Sequence, residues 1–424
     1  MERAYEFWNV SIIPSIEKFY LNKYFSAIRQ SFYILMPFWL IVSFFDILFN
    51  LFLDPNGLIM GERGLNLGFW FTGGTSGEDY LNGNFVYILN IYKNILGVCY
   101  GILSLIIIIT LSAKLAILWK SDKILTTLCS VSAYLLILPI SNSEKDFIDY
   151  FNHIGFFTSF FITFFASAMF AKLSKIPKFK LFIPKSLPND LSYYLSATPA
   201  ILSTIMAFSF LSLILSVMDQ HLNNLVEYLA TLSIFQNVLF VLIYQFVVWL
   251  LWWLGIPGYG VTSAILDDIY APAQMSNQIG DTSAIFTTGF FEAGVIHVMG
   301  LMIAILVFSQ NERWRSVSKF SLPVMLFNIQ EIFVFGLPVI LNPIFLIPYV
   351  LAPLANTIVG YVAISWGIVP IFQTDIPWTM PLILSTIIGT HSIMGGILQI
   401  VWLIMDIFIY APFVITSNSF DVKD

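Results

Sequence analysis

In the stretch FNIQEIFVFGLPVILNP, residues 327–343, one carboxylate, Glu331, stands among apolar side chains, with two carboxamides, Asn328 and Gln330, just before it. A carboxylate at bilayer depth costs about 2.5–3.5 kcal/mol even on lenient insertion scales, so an acid kept in such a run points to a function. Pro338 and Pro343 stop the segment from completing a helix and free carbonyls to bind something polar. These groups suit a neutral, hydroxyl-rich solute. An ionised carboxylate accepts two or more hydroxyl hydrogen bonds, each worth about 1.5–3 kcal/mol when charge-assisted, and the amides add donors and acceptors. A nearby tryptophan would offer the flat apolar face on which sugar rings stack. Trp378, in DIPWTMP, is the candidate for that face, and its alternative is an interfacial anchor between two prolines.

Other polar and aromatic residues invite plainer readings. Asp406, inside the last apolar run, is expected to pair with a polar group across the bundle, and Asp375 to sit at the water boundary. Trp249, Trp252 and Trp253 are expected in lipid-facing or interfacial packing. His297 and His391 read as hydrogen-bonded packing residues, and Cys99 and Cys129, both in apolar runs, as small hydrophobes. No metal-ligand spacing, Ser/His/Asp arrangement or nucleic-acid-binding feature is present, and no cofactor is implied. The loop FTGGTSGEDYLNGN has glycines but no Gly-Lys-Ser/Thr ending, so it does not read as a phosphate cradle.

The elements that position these groups are set by the solvent. Hydrophobic residues make up 58% of the chain and charged residues 10%, and the mean hydropathy is +0.84. That composition is an integral membrane protein's. Apolar runs near 31–53, 88–112, 124–140, 153–171, 196–218, 229–254, 285–308, 340–361 and 382–413 approach or exceed the roughly 20 helical residues a span needs. The last is long enough to be divided or tilted, so about ten spans are expected. The runs are unbroken rather than alternating, which argues against a β-barrel. Residues 1–30 read as retained interfacial helices rather than a signal peptide.

Lysine and arginine cluster at Arg3, Lys18, Lys23 and Arg29; at Lys114, Lys120 and Lys123; at Lys172, Lys175, Lys178, Lys180 and Lys185; and at Arg313, Arg315 and Lys319. These segments, the N-terminus among them, are expected to face the cytoplasm. Two stretches, near 255–282 and 322–345, are interrupted by glycine, proline and polar residues where a span should continue. Irregular backbone at that depth survives only where protein buries it or water lines it, so both read as re-entrant hairpins.

At FNIQEIFVFGLPVILNPIFLIPYVLAPLANTIVGY, then IPWTMPLILS and LQIVWLIMDIFIYAPFV, the sequence resembles the membrane-embedded IIC component (EIIC) of the bacterial sugar phosphotransferase system, of the lactose/cellobiose/chitobiose type. The likeness extends to YLNKYFSAIRQSF, LLWWLGIPG and IFTTGFFEA. It implies an all-α homodimer in the bacterial cytoplasmic membrane: interfacial helices over 1–30, a scaffold domain over 31–220, a sugar-carrying transport domain with the two hairpins over 221–415, and a tail over 416–424. It further implies a permease that is not itself an enzyme. A disaccharide or β-glucoside is phosphorylated on its 6-hydroxyl by the phosphocysteine of a separate IIB protein, which is charged by IIA.

In that family the glutamate matching Glu331 contacts the hydroxyl as a proton acceptor, and the tryptophan matching Trp378 lies near the sugar. Three departures stand out. Pro257 replaces the histidine of a Gly-Ile-His-Gly motif, Gln330-Glu331-Ile332 replaces Asn-Glu-Pro, and GVIHVM, carrying His297, replaces a glycine-rich segment. His297 is thereby a candidate substitute for the lost imidazole. The alternative is a sensor or regulatory membrane module that keeps the fold without coupled transport.

Overall fold

The computed structural model describes residues 22–54, 59–60, 65–72, 85–138, 153–184, 186–230, 233–255, 258–262, 265–337, 339–340, 342–374 and 379–418. All regular structure among them is helical: α1 (Lys23–Leu48), α2 (Leu67–Thr72), α3 (Phe85–Trp119), α4 (Lys123–Ile137), α5 (His153–Leu173), α6 (Asn189–Ser196), α7 (Thr198–Ala230), α8 (Val238–Trp253), α9 (Gly258–Val261), α10 (Ala271–Ile279), α11 (Thr288–Gly294), α12 (His297–Phe308), α13 (Glu312–Met325), α14 (Glu331–Gly336), α15 (Pro343–Ser365), α16 (Leu384–Thr390) and α17 (Ile393–Ser417). Six stretches among the described residues are long and apolar enough to cross a bilayer, and α4, α8 and the 158–173 part of α5 are shorter apolar helices. The chain is a multi-pass membrane protein.

Each of the nine apolar runs contains a helix. The ninth is divided: α16 ends with His391 in the left-handed conformation at φ 50°, and Ser392 caps α17 by accepting the Met394 N–H at 3.2 Å. The expected interfacial pair over 1–30 lies outside the described residues as far as residue 21, and so does most of the glycine-bearing loop at 71–84.

The chain divides into two compact units. One comprises Lys18–Phe38 and Asn94–Leu225. Its helices are joined by hydroxyl pairs where two small polar side chains meet inside apolar surroundings, Ser112 with Thr127 at 2.8 Å and Ser130 with Ser167 at 2.9 Å. Cys129 is buried with Phe170 and Ala200, while Cys99 is half-buried. Lys114 reaches the Gln30 side-chain carbonyl at 2.8 Å and Lys175 the Trp119 carbonyl at 2.5 Å, so part of the cation-rich surface also ties helix ends together.

The other unit comprises Met1–Glu17, Trp39–Lys93 and Val226–Asp424. Within it α12 packs along α17, and α15 packs against α8 and α17. Its non-helical connections are fixed by buried amides. Asn277 on α10 donates to the Ala284 and Phe372 carbonyls (2.7 and 2.9 Å) and accepts the Ala284 N–H (2.8 Å). Gln399, in the LQ motif, accepts the Ile383 N–H at 2.5 Å and donates to the Ala293 carbonyl at 3.0 Å, which holds Ile383 at φ 73°.

Candidate functional site

Helix α13 ends in a left-handed turn that delivers Glu331. Asn328 takes φ 64°, a region asparagine tolerates better than most residues. The Asn328 N–H returns to the Met325 carbonyl (3.0 Å) and the Ile329 N–H to that of Val324 (3.2 Å), a Schellman pattern. Asn328 therefore redirects the chain so that Gln330 and Glu331 begin α14. This short helix stops at Gly336, and α15 starts at Pro343, its first helical position, with Asn342 as its cap accepting the Ile344 N–H at 3.0 Å.

The other interrupted stretch folds against this one. After α8 the chain leaves through Gly255 at φ 83° and then returns on itself so closely that a Cβ on Gly258 would lie 2.1 Å from the Val248 carbonyl oxygen. Only glycine fits there. A Cβ on Gly255 would meet Ile340 at 3.0 Å, and the Trp253 indole donates to the Asn342 carbonyl at 2.9 Å. The two glycine- and proline-broken segments are thus docked on each other.

Asn328, Gln330 and Glu331 are all buried, Glu331 with 6% of its surface exposed. The Glu331 carboxylate accepts the backbone N–H groups of Gln330 and Glu331, and the Trp39 indole donates to it. Its Oε2, like Oε1 of Gln330, has no hydrogen-bond partner. Asp46, about two turns further along α1 and also buried, is close enough for its charge to act on Glu331, and so is Tyr349 of α15. A buried carboxylate with one unfilled oxygen and donors holding the rest is an acceptor prepared for an incoming O–H.

His297 starts α12 fully buried. Its Nδ1 pairs with the Tyr410 hydroxyl at 2.8 Å, its ring meets Trp249 edge-on at 4.1 Å between centroids, and Tyr349 stands 5.3 Å away. Tyr349, whose hydroxyl has no hydrogen-bond partner, is thus beside His297 and within range of the Glu331 charge. His391, bonded to the Thr374 hydroxyl at 2.5 Å, belongs to a different loop. Pro257, Asp375 and Trp378 lie outside the described residues. Asp406 pairs across the bundle with Asn356, as expected.

The tryptophans of α8 correct the sequence reading. Trp249, Trp252 and Trp253 are 0%, 5% and 7% exposed and face the protein interior, while Leu239, Ile243, Phe246 and Val247 face outward. The helix is apolar all round, so hydropathy carries no facial signal. The deciding feature is Gln245, whose carbonyl accepts the Trp249 indole N–H at 2.8 Å and fixes that face inward. Trp39 and Asp46 were missed altogether. Asp46 carries the signal that identified Glu331, one acid in the apolar run IVSFFDILFN.

Comparison with known proteins places this geometry in context. A model of the family described as "Phosphotransferase system, EIIC" matches residues 29–353. An oligo-β-mannoside-specific EIIC component from Bacillus subtilis is 34% identical over 186 residues, 41% of this chain and 42% of the relative. A cellobiose-specific EIIC component from Lactococcus lactis is 29% identical over 306 residues, 63% of this chain and 61% of the relative. The alignments therefore span about half the length of these relatives. The crystal structure of ChbC, the IIC component of an N,N'-diacetylchitobiose-specific phosphotransferase system, aligns over 97% of this chain and 98% of ChbC, with 21% identity and a TM-score of 0.49.

Proposed function

Because the chain belongs to the phosphotransferase-system EIIC family, we propose that it is the membrane permease component for a β-linked disaccharide or β-glucoside, phosphorylated on its 6-hydroxyl by a separate IIB protein that IIA recharges. The observation that carries this reading is the buried Glu331 carboxylate, held by its own helix start and Trp39 while Oε2 stays unfilled. In the proposed complex Oε2 accepts the hydroxyl and takes its proton as the oxygen acquires the phosphoryl group. Gln330 supplies a second acceptor, Asn328 shapes the turn, and Trp378, Pro257 and His297 are the further candidates for contact with the sugar. The sugars named for the two relatives, cellobiose and oligo-β-mannoside, support this substrate class.

The same reading assigns residues 31–220 to a scaffold and 221–415 to the sugar-carrying part, with hairpins near 255–282 and 322–345, in a homodimer in the bacterial cytoplasmic membrane with a cytoplasmic N-terminus. A regulatory module without coupled transport is not favoured, because the matching relatives are named as EIIC components. The test is equilibrium binding of cellobiose, chitobiose, lactose and aryl-β-glucosides to the purified full chain, together with phosphoenolpyruvate-dependent uptake into vesicles. Saturable binding of one of these sugars is expected. Binding of none of them refutes the assignment.

A further inference from the structure

Asp406, in the middle of α17, is fully buried and shows a single hydrogen bond: Asn356 Nδ2, from α15, donates to its Oδ2 at 3.0 Å. The Oδ1 of Asp406 and the Oδ1 of Asn356 are both buried without partners. One neutral amide does not compensate an ionised carboxylate in a dry interior, where an isolated charge is far costlier than a neutral acid. On the α12 side the two helices are in close contact, since a Cβ on Gly300 would come within 2.5 Å of the Asp406 Cβ.

The other side of Asn356 is different. It borders a small hollow of about 10 Å³ lined by Gln245, Trp249, Tyr259 and Trp402 among others, close to the roughly 10–15 Å³ that one water needs. The Trp402 indole N–H is buried and has no partner. An unfilled donor, Trp402 Nε1, and an unfilled acceptor, Asn356 Oδ1, thus belong to residues lining one water-sized space. A metal cation fits poorly, since it would meet an N–H donor where it needs an oxygen. Water can both donate and accept.

A carboxamide is also the side chain that can match either protonation state of a facing carboxyl group. Its amino end donates to the carboxylate, and after a half-turn about its terminal torsion its carbonyl accepts the carboxylic O–H. Water in the hollow complements whichever end then faces away.

We propose that Asp406 and Asn356, with the hollow beside Trp402, form a buried proton-binding site, distinct from Glu331, at which Asp406 carries one proton. The exchange is between Asp406–COOH and Asp406–COO⁻ with water as the proton acceptor; no other bond changes. The site does not depend on the sugar assignment. It adjoins the candidate substrate region through Tyr410, one turn further along α17, which holds His297, and through Trp249, which lines the hollow and meets the His297 ring.

Infrared difference spectroscopy on the purified full-length protein at neutral pH, in H₂O and in D₂O, tests this. Subtracting Asp406→Asn from wild type should isolate one protonated-carboxyl C=O band that shifts down in D₂O, and Trp402→Phe should retain that band at a displaced frequency. Loss of ionised-carboxylate bands instead, or no change in the carboxyl region of a folded variant, overturns the proposal. If Asp406→Asn does not assemble, [4-¹³C]aspartate-labelled protein with Asn356→Ala serves: a labelled carboxyl band that moves supports the site, and one unmoved by loss of the amide refutes it.

Discussion

Replacing Glu331 with glutamine separates binding from chemistry. On its protein side the carboxylate accepts from the N–H groups of Gln330, Glu331 and Trp39, with the Asp46 carboxylate near enough to oppose its charge. In the variant those donors hold the amide oxygen and turn its NH₂ toward the position left open by Oε2, so a substrate hydroxyl finds a donor where it had a charged acceptor. A charge-assisted bond of about 1.5–3 kcal/mol gives way to a neutral one of about 0.5–1.5 kcal/mol. The loss is about 1–1.5 kcal/mol, or about 5- to 12-fold in Kd. The amide cannot take the hydroxyl proton, and removal of a positioned base typically costs about 10²–10⁴-fold in rate. Sugar binding to purified protein should therefore weaken modestly, while phosphoenolpyruvate-dependent phosphorylation in vesicles falls by at least about 100-fold. Equal, small losses in both assays would refute the reasoning, since they would make Glu331 a binding group and not the proton acceptor.

Trp39→Phe keeps an apolar ring but removes a donor to the Glu331 carboxylate; a bond to a charged group being worth about 1.5–3 kcal/mol, phosphorylation should slow by about 10-fold or more, with sugar Kd changing less. Gly258→Ala drives a methyl against the Val248 carbonyl, which is backbone and cannot rotate away, so an overpacking cost of about 1–3 kcal/mol should lower the melting temperature in scanning fluorimetry. Asn277→Ala strips donors from two loop carbonyls and the acceptor from the Ala284 N–H. It should cost more than the about 1 kcal/mol expected for Asn237→Ala at the cap of α8, and melting of the two variants side by side checks the order.

Membrane helices are legible because the bilayer allows so few alternatives. Every backbone polar group in hydrocarbon must be paired within its own segment, so an unbroken apolar run of sufficient length is a helix before any partner is known. For the same reason the broken stretches stand out: Gly255 and Pro343 mark where the ladder is interrupted. Which face of a helix turns inward is another matter. On α8 nearly every residue is apolar, and hydropathy could not tell the buried Trp249 face from the outward Leu239 and Ile243 face. A single glutamine, Gln245, held that information, because a carboxamide in hydrocarbon needs a partner that only the interior supplies.

The same argument explains why part of the site was missed. Glu331 was conspicuous through its neighbours, two amides and two prolines, whereas Asp46 sits alone in a run otherwise fit for lipid. Energetically the two are equivalent, since either acid facing lipid would cost about 2.5–3.5 kcal/mol. A lone acid in an apolar run therefore already implies an interior partner, even where no motif surrounds it. The fold brings Asp46, Trp39 and Tyr349 to Glu331 from elements far apart in the chain, and Asp406 obeys the same rule with Asn356. In a chain this apolar, each intramembrane carboxylate reports an enclosed polar neighbourhood. What the one-dimensional pattern withholds is which of those neighbourhoods are shared, because that depends on helix packing and not on the hydropathy of any single run.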